Sequence, residues 1–268
     1  MKFKALAVLL LSVIAFFSLM ATVLAANPTI VNIATVSPKD PTPGSTTAVA
    51  IWFVADDADG DLDNTTVAVY FSKTGEATRS DTNCSAAGIN ETANNYTCSA
   101  NMQFYDAPGS WTINVTISDL TFNIAYNDTT AFTYNSGLHM SMTPTSISFG
   151  TALNVSQSDV AATDDPIVIQ NIGNVNVTQV NVTAYDLVGE TYSSYTIGSS
   201  NFEASATDSA NSGVNLSNSA PVTVTGVAID CGASSTDNVY FFLDVPSTNI
   251  QVQDYSTTGG TSWVIAVS

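Results

Sequence analysis

The chain has 268 residues with 23 acidic and five basic side chains and a single histidine, for a formal net charge of −18. Two of the five basic residues fall within the first four positions, leaving only Lys39, Lys73 and Arg79 beyond them. That excludes nucleic acid, whose affinity rests on cationic contacts to phosphate, and simple adsorption to anionic lipid.

Charged residues make up only 10% of the chain, against roughly 25% in ordinary soluble proteins. Ser, Thr and Asn carry the polarity instead. The length suffices for two domains, each with its own core.

Met1 to Lys4 form a short basic head, and Ala5 to Leu24 carry no charge. Val23-Leu24-Ala25 then offers the small residues that a signal peptidase reads, so residues 1–25 read as a signal peptide cleaved after Ala25. An apolar run of this length can also stay uncleaved as an anchor helix. Basic residues at the front keep the N-terminus inside, so both readings place the remainder outside the cell or at its surface. In the anchored case the N-terminal segment is the only link to a membrane.

Thr29 to Ile33 reads as a first strand, followed by the proline-rich turn Pro38 to Gly44. Ala48 to Ala55 is apolar on both phases, including Trp52, and predicts a central strand covered on both faces. Asp56-Asp57-Ala58-Asp59-Gly60-Asp61-Leu62-Asp63 comes next. Asp57, Asp59, Asp61 and Asp63 alternate on a turn, the kind of carboxylate spacing that can wrap Ca²⁺, which takes six to eight oxygens. The EF-hand pattern is not met, and a solvated Asx-rich turn accounts for the same residues. No cofactor is required by any motif, and Ca²⁺ is the one ion the sequence can hold.

Thr65 to Phe71 alternates with Val67, Val69 and Phe71 inward. Cys84 and Cys98 bracket a Ser/Asn/Ala-rich loop and are expected to pair in an oxidising compartment. Cys231 is left over, either as a buried thiol or as a link to another chain. Trp111 to Asp119 is the clearest strand, with Trp111, Ile113, Val115 and Ile117 facing in. Thr130 to Tyr134 closes the unit. Strands at this spacing predict an antiparallel sandwich of immunoglobulin type over residues 26–136. On Asp57-Ala58-Asp59-Gly60-Asp61 and Pro108 to Val115, this part resembles the Ig-like modules of bacterial and archaeal surface proteins.

Asn135-Ser136-Gly137 reads as a linker, and a second unit spans residues 137–268. Two β-branched runs flank Asn171-Ile172-Gly173-Asn174, which predicts a hairpin. The apolar phase then slips between Val177 and Val180, which requires a β-bulge at Thr178-Gln179. Ser146-Ile147-Ser148-Phe149-Gly150 followed by Pro166 to Asn174 resembles the Ig-like domains of the ASPM/SPD-2/hydin and choice-of-anchor type, in which an S-F-G strand precedes an N-x-G-N turn. That resemblance implies an adhesive or scaffolding module and assigns no activity. Residues 188–220 read as long loops with one strand near Tyr195. Val222 to Ile229, Val239 to Val245 and Trp263 to Val267 are further strands, the last a segment for exchange between chains.

Sequons occur at Asn64, Asn83, Asn90, Asn95, Asn114, Asn127, Asn154, Asn176, Asn181 and Asn215. Chance gives about six in a chain of this composition. In an exported glycoprotein these are the acceptor candidates.

No catalytic residues are assigned. His139 stands beside the linker with no triad partners, Asp164-Asp165 precede Pro166 as a turn would require, and no P-loop, dinucleotide fingerprint or zinc spacing appears. Trp52, Trp111 and Trp263 fall in apolar strand phases and read as core. The sequence therefore points to two tandem Ig-like β-sandwiches behind a signal or anchor segment, in a non-catalytic envelope structural or adhesion protein. Its partners are other envelope proteins or further copies of itself. The alternative is a monomeric secreted module that binds carbohydrate, such as surface glycans, or peptide.

Overall fold

The computed structural model describes residues 26–88 and 93–268. Residues 1–25, read above as a signal peptide or anchor, and the sequon at Asn90 lie outside the described residues. The fold is all-β, built from antiparallel strand pairs. Among the described residues no helix is long and apolar enough to cross a membrane.

The first half contributes β1 (Thr29–Ile33), β2 (Thr46–Asp56), β3 (Leu62–Ser72), β4 (Arg79–Asp81), β5 (Ser85–Gly88), β6 (Ala93–Gln103), β7 (Gly109–Asp119) and β8 (Ile124–Tyr134). They form two four-stranded sheets, β1-β2-β6-β5 and β4-β3-β7-β8. The first sheet has the A-B-E-D order of an immunoglobulin sandwich, and the second is the G-F-C order with C′ added. Trp111, Ile113, Val115 and Ile117 are buried as alternation requires, against Phe53, Phe71, Tyr96 and Tyr134. Phe53 stacks on Tyr96 with ring centroids 5.3 Å apart.

The expectation for Ala48 to Ala55 is corrected. The inner phase, Val49, Ile51, Phe53 and Ala55, is buried, while Ala48, Ala50 and Trp52 face outward. An outer face paved with alanine and one tryptophan is indistinguishable from a second buried face by apolarity alone. Trp52 is therefore not core, whereas Trp111 is.

Cys84 and Cys98 are disulfide-bonded, 14 residues apart in sequence. The bond pins the segment entering β5 onto β6 and closes a loop worth about 3 kcal/mol in the chain-entropy account.

The second half contains β9 (Met140–Thr143), β10 (Val160–Ala161), β11 (Ile167–Asn171), β12 (Val180–Thr183), β13 (Leu187–Gly189), β14 (Thr196–Ile197), β15 (Phe202–Ser205), β16 (Val214–Asn215), β17 (Val222–Val224), β18 (Thr236–Leu243), β19 (Tyr255–Ser256) and β20 (Val264–Val267). The main sheet runs β16-β15-β18-β11-β9, with β10 continuing the β11 side of β18. Val180, Val182 and Val224 of the sheet β17-β12-β20 share one core with Ile169, Val239 and Phe241.

Three expectations change here. β11 pairs with β9 and β18 while β12 pairs with β17 and β20, so the turn at Asn171–Asn174 crosses between sheets and is not a hairpin. Residues 188–220 hold more than loops, since β15 is a central partner of β18 and Phe202 is buried. Ser146–Gly150 is not a strand. Instead, Ser148 O accepts from the Thr163 N–H at 2.6 Å, and Phe149 packs on Phe202. β20 lies in register on β12, and Trp263 meets Phe202 edge-on at 5.0 Å. Deleting 262–268 therefore strips the second core as well as an edge.

The bulge is present. The N–H groups of Thr178 and Gln179 both donate to Ser268 O, at 2.8 and 3.1 Å, so two residues oppose one. Val177 and Val180 accordingly both point inward.

Candidate functional site

The acidic turn between β2 and β3 brings Asp57, Asp59 and Asp61 together, with one carboxylate oxygen of each within 4.8 Å of the others. Gly60, at φ +76°, gives the turn a left-handed residue, and its N–H closes the turn on Asp57 O at 3.1 Å. Asp63 is not in the group. Its carboxylate accepts from the N–H and hydroxyl of Thr65, at 2.9 and 2.7 Å, and these bonds hold it below the usual range.

Asp57 is only 1% exposed, and its Oδ2 has no hydrogen-bond partner. Burial first, then the adjacent Asp59 carboxylate, pushes its carboxyl up to about 6. Asp59 is held low, first by the Asp57 side chain and then by the Ala26 N–H, which donates to Asp59 Oδ2 at 3.0 Å. Asp61 is pushed up by desolvation and by the charges of Asp59 and Asp119, and its Oδ1 also lacks a partner.

Asp119, which sequence reasoning missed, ends β7 opposite Leu62. It too is buried, and burial raises it, but bonds from Asn123 and Thr121 outweigh that and hold it low. Its Oδ1 accepts from Thr121 N, Thr121 Oγ1 and Asn123 N, and its Oδ2 from Asn123 Nδ2, all at 2.8–2.9 Å. The Leu120 N–H then donates to Asp61 O at 2.9 Å and joins the two turns.

A second polar centre lies between the halves. Asn171 is buried, and its Nδ2 donates to Val175 O at 2.9 Å while its Oδ1 accepts from Gly173 N at 3.0 Å. Asn174 reaches the other way. Its Nδ2 donates to Asp106 O at 3.1 Å and Asn135 O at 2.9 Å, and its Oδ1 accepts from Gly137 N at 2.7 Å. Gly44 N donates to Ile172 O at 2.9 Å, and Ile172 N to His139 O at 3.0 Å. Residues 135–139 are thus bonded on both sides. His139 contributes only backbone to this joint, and its side chain is exposed.

Asp165 sits in the break between β10 and β11, where its Oδ2 accepts from Phe241 N at 2.7 Å. Burial, reinforced by the charges of Asp208 and Asp164, pushes its carboxyl up to about 6. The folded chain therefore holds this proton more tightly than the unfolded chain, whose value is near 3.8. The corresponding stability is complete below pH 3.8 and is lost as pH rises through 6. Asp165→Asn keeps an acceptor for Phe241 and removes the charge. It is expected to add about 1 kcal/mol at pH 7, after discounting for solvent screening. Urea unfolding of both chains between pH 4 and 7 checks this: the gap should widen with pH, and a constant gap refutes the assignment.

Trp52 is 44% exposed and lines a shallow hollow on the outer face of β2 and β6 with Ala50, Asn95 and Thr97. Of the sequon asparagines, Asn64, Asn83, Asn154, Asn176 and Asn215 are exposed, and Asn95, Asn114, Asn127 and Asn181 are half-buried. Cys231 is a half-buried free thiol, raised by burial and then by the Asp230 charge.

No protein-family model matches the chain, and no curated protein matches it in sequence.

Proposed function

We propose that the chain is an exported, non-catalytic protein of the cell envelope, built from two Ig-like modules divided near residue 136, that serves as a structural or adhesive spacer. The observation that carries this reading is the joint. A free tether would leave residues 135–139 solvated, whereas here Asn174, 3% exposed, ties them to Asp106 and so holds one sandwich against the other. Outward-facing sequon asparagines suit a glycan-coated surface. Fractionation of expressing cells, followed by protease treatment of the intact cells, tests the reading. The chain should be shaved from the surface or recovered from the medium, and a protease-resistant cytoplasmic pool would refute it.

The hollow at Trp52 favours a second reading, a secreted module that binds carbohydrate on an aromatic platform. Under it, surface glycans quench tryptophan fluorescence in the parent chain and not in Trp52→Ala.

A further inference from the structure

We infer that Asp57, Asp59 and Asp61 bind one hard divalent cation of the calcium class, which fastens the β2–β3 turn beside the start of the first sandwich. This does not depend on the envelope reading. Acidic turns are common and ordinarily need no ion, but the buried aspartates of this half differ in how they are satisfied.

Three aspartates here are almost wholly buried: Asp57, Asp106 and Asp119. Asp106 is met by the Arg79 guanidinium and by Gln103 N, and Asp119 by the four donors of Thr121 and Asn123. Asp57 receives a single long bond, from Asp59 N at 3.3 Å, and its Oδ2 has no donor at all. A buried carboxylate oxygen without a donor is costly, and the molecule satisfies the other two.

What lies around Asp57 is more carboxylate. Asp61 Oδ1 is a second partnerless oxygen, and Asp59 completes the group. Among the described residues the only ion pair is Arg79–Asp106, so no lysine or arginine neutralises these three. Oxygens within 4.8 Å of one another can all lie 2.3–2.6 Å from a single Ca²⁺. Waters would fill the remaining positions on the exposed side of Asp59. Magnesium demands near-ideal octahedral geometry and sheds water reluctantly, so an irregular turn of carboxylates favours the larger ion. Asp63, occupied by Thr65, is not a ligand.

The test uses the full gene product as purified from expressing cells, titrated calorimetrically with CaCl₂ after chelation and melted with Ca²⁺, Mg²⁺ or chelator alone. One Ca²⁺ should bind per chain and raise the unfolding midpoint by several degrees, with Mg²⁺ raising it less. Asp61→Asn and Asp57→Asn should each weaken Ca²⁺ binding by about tenfold or more, while Asp63→Asn leaves it unchanged. If Asp57→Asn does not fold, the half-exposed Asp61 decides the matter. A folded parent chain that shows neither heat nor a Ca²⁺-dependent midpoint overturns the inference. So does binding that survives Asp61→Asn or is lost on Asp63→Asn.

Discussion

Replacing Asp106 with alanine should cost about 3–5 kcal/mol, the expected penalty for removing one partner of a buried ion pair. Asp106 is completely buried, and Arg79 Nε donates to its Oδ2 at 2.9 Å while Nη2 meets Oδ1. Gln103 N donates to the same carboxylate at 2.7 Å. The guanidinium, whose side chain is 19% exposed, lies 6.0 Å from the Tyr105 ring centre and would be left with that ring alone. Asp106→Asn keeps the shape and one acceptor and should cost less. Urea denaturation of the parent and both variants measures the difference. A loss below 1 kcal/mol in the alanine chain would mean that Arg79 finds water at no cost, against its position in the fold.

The second large effect belongs to the joint. Asn174→Ala removes a buried amide that makes three hydrogen bonds, leaving Gly137 N and the carbonyls of Asp106 and Asn135 to find other partners. A loss of about 2–4 kcal/mol is expected, from roughly 1 kcal/mol for each bond and more for groups that stay buried. Gly173→Ala attacks the same place sterically. A β-carbon there would fall 2.2 Å from Gly137 O and 2.8 Å from His139 N, both backbone atoms that cannot swing away. Scanning calorimetry should show the unfolding of the two sandwiches separating in both variants. A transition unchanged in midpoint and shape would mean the halves were never coupled.

Much of this fold can be read from the chain because strands write their burial with period two. Trp111, Ile113, Val115 and Ile117 announce an inner face, and the slipped phase at Thr178-Gln179 announces a bulge that the paired bonds to Ser268 display. The errors arise where different structures share one pattern. Two β-branched runs around Asn171–Asn174 describe a crossing between sheets as well as a hairpin, because alternation records which face is buried and not which strand lies alongside. β15, Phe-Glu-Ala-Ser, is short and lacks β-branched residues, so its place beside β18 leaves no local trace.

The acidic turn was visible as a spacing. Its division into three converging carboxylates and an outlying Asp63 depends on Thr65, and the contrast with the satisfied Asp119 depends on Asn123 and Thr121. Asp106 and Asn174 resemble any other polar residues in an Asn- and Asp-rich chain until the two sandwiches are brought together.

The joint also bears on how such chains can be recombined. Asp106, Gly137 and Asn174 form a lock whose halves sit on different sandwiches, so these are not interchangeable beads on a string. Grafting the second sandwich behind a foreign first one strands the Asn174 amide unless the newcomer offers a carbonyl where Asp106 offers its own. Duplication or shuffling of this unit would therefore preserve the pair more readily than either member.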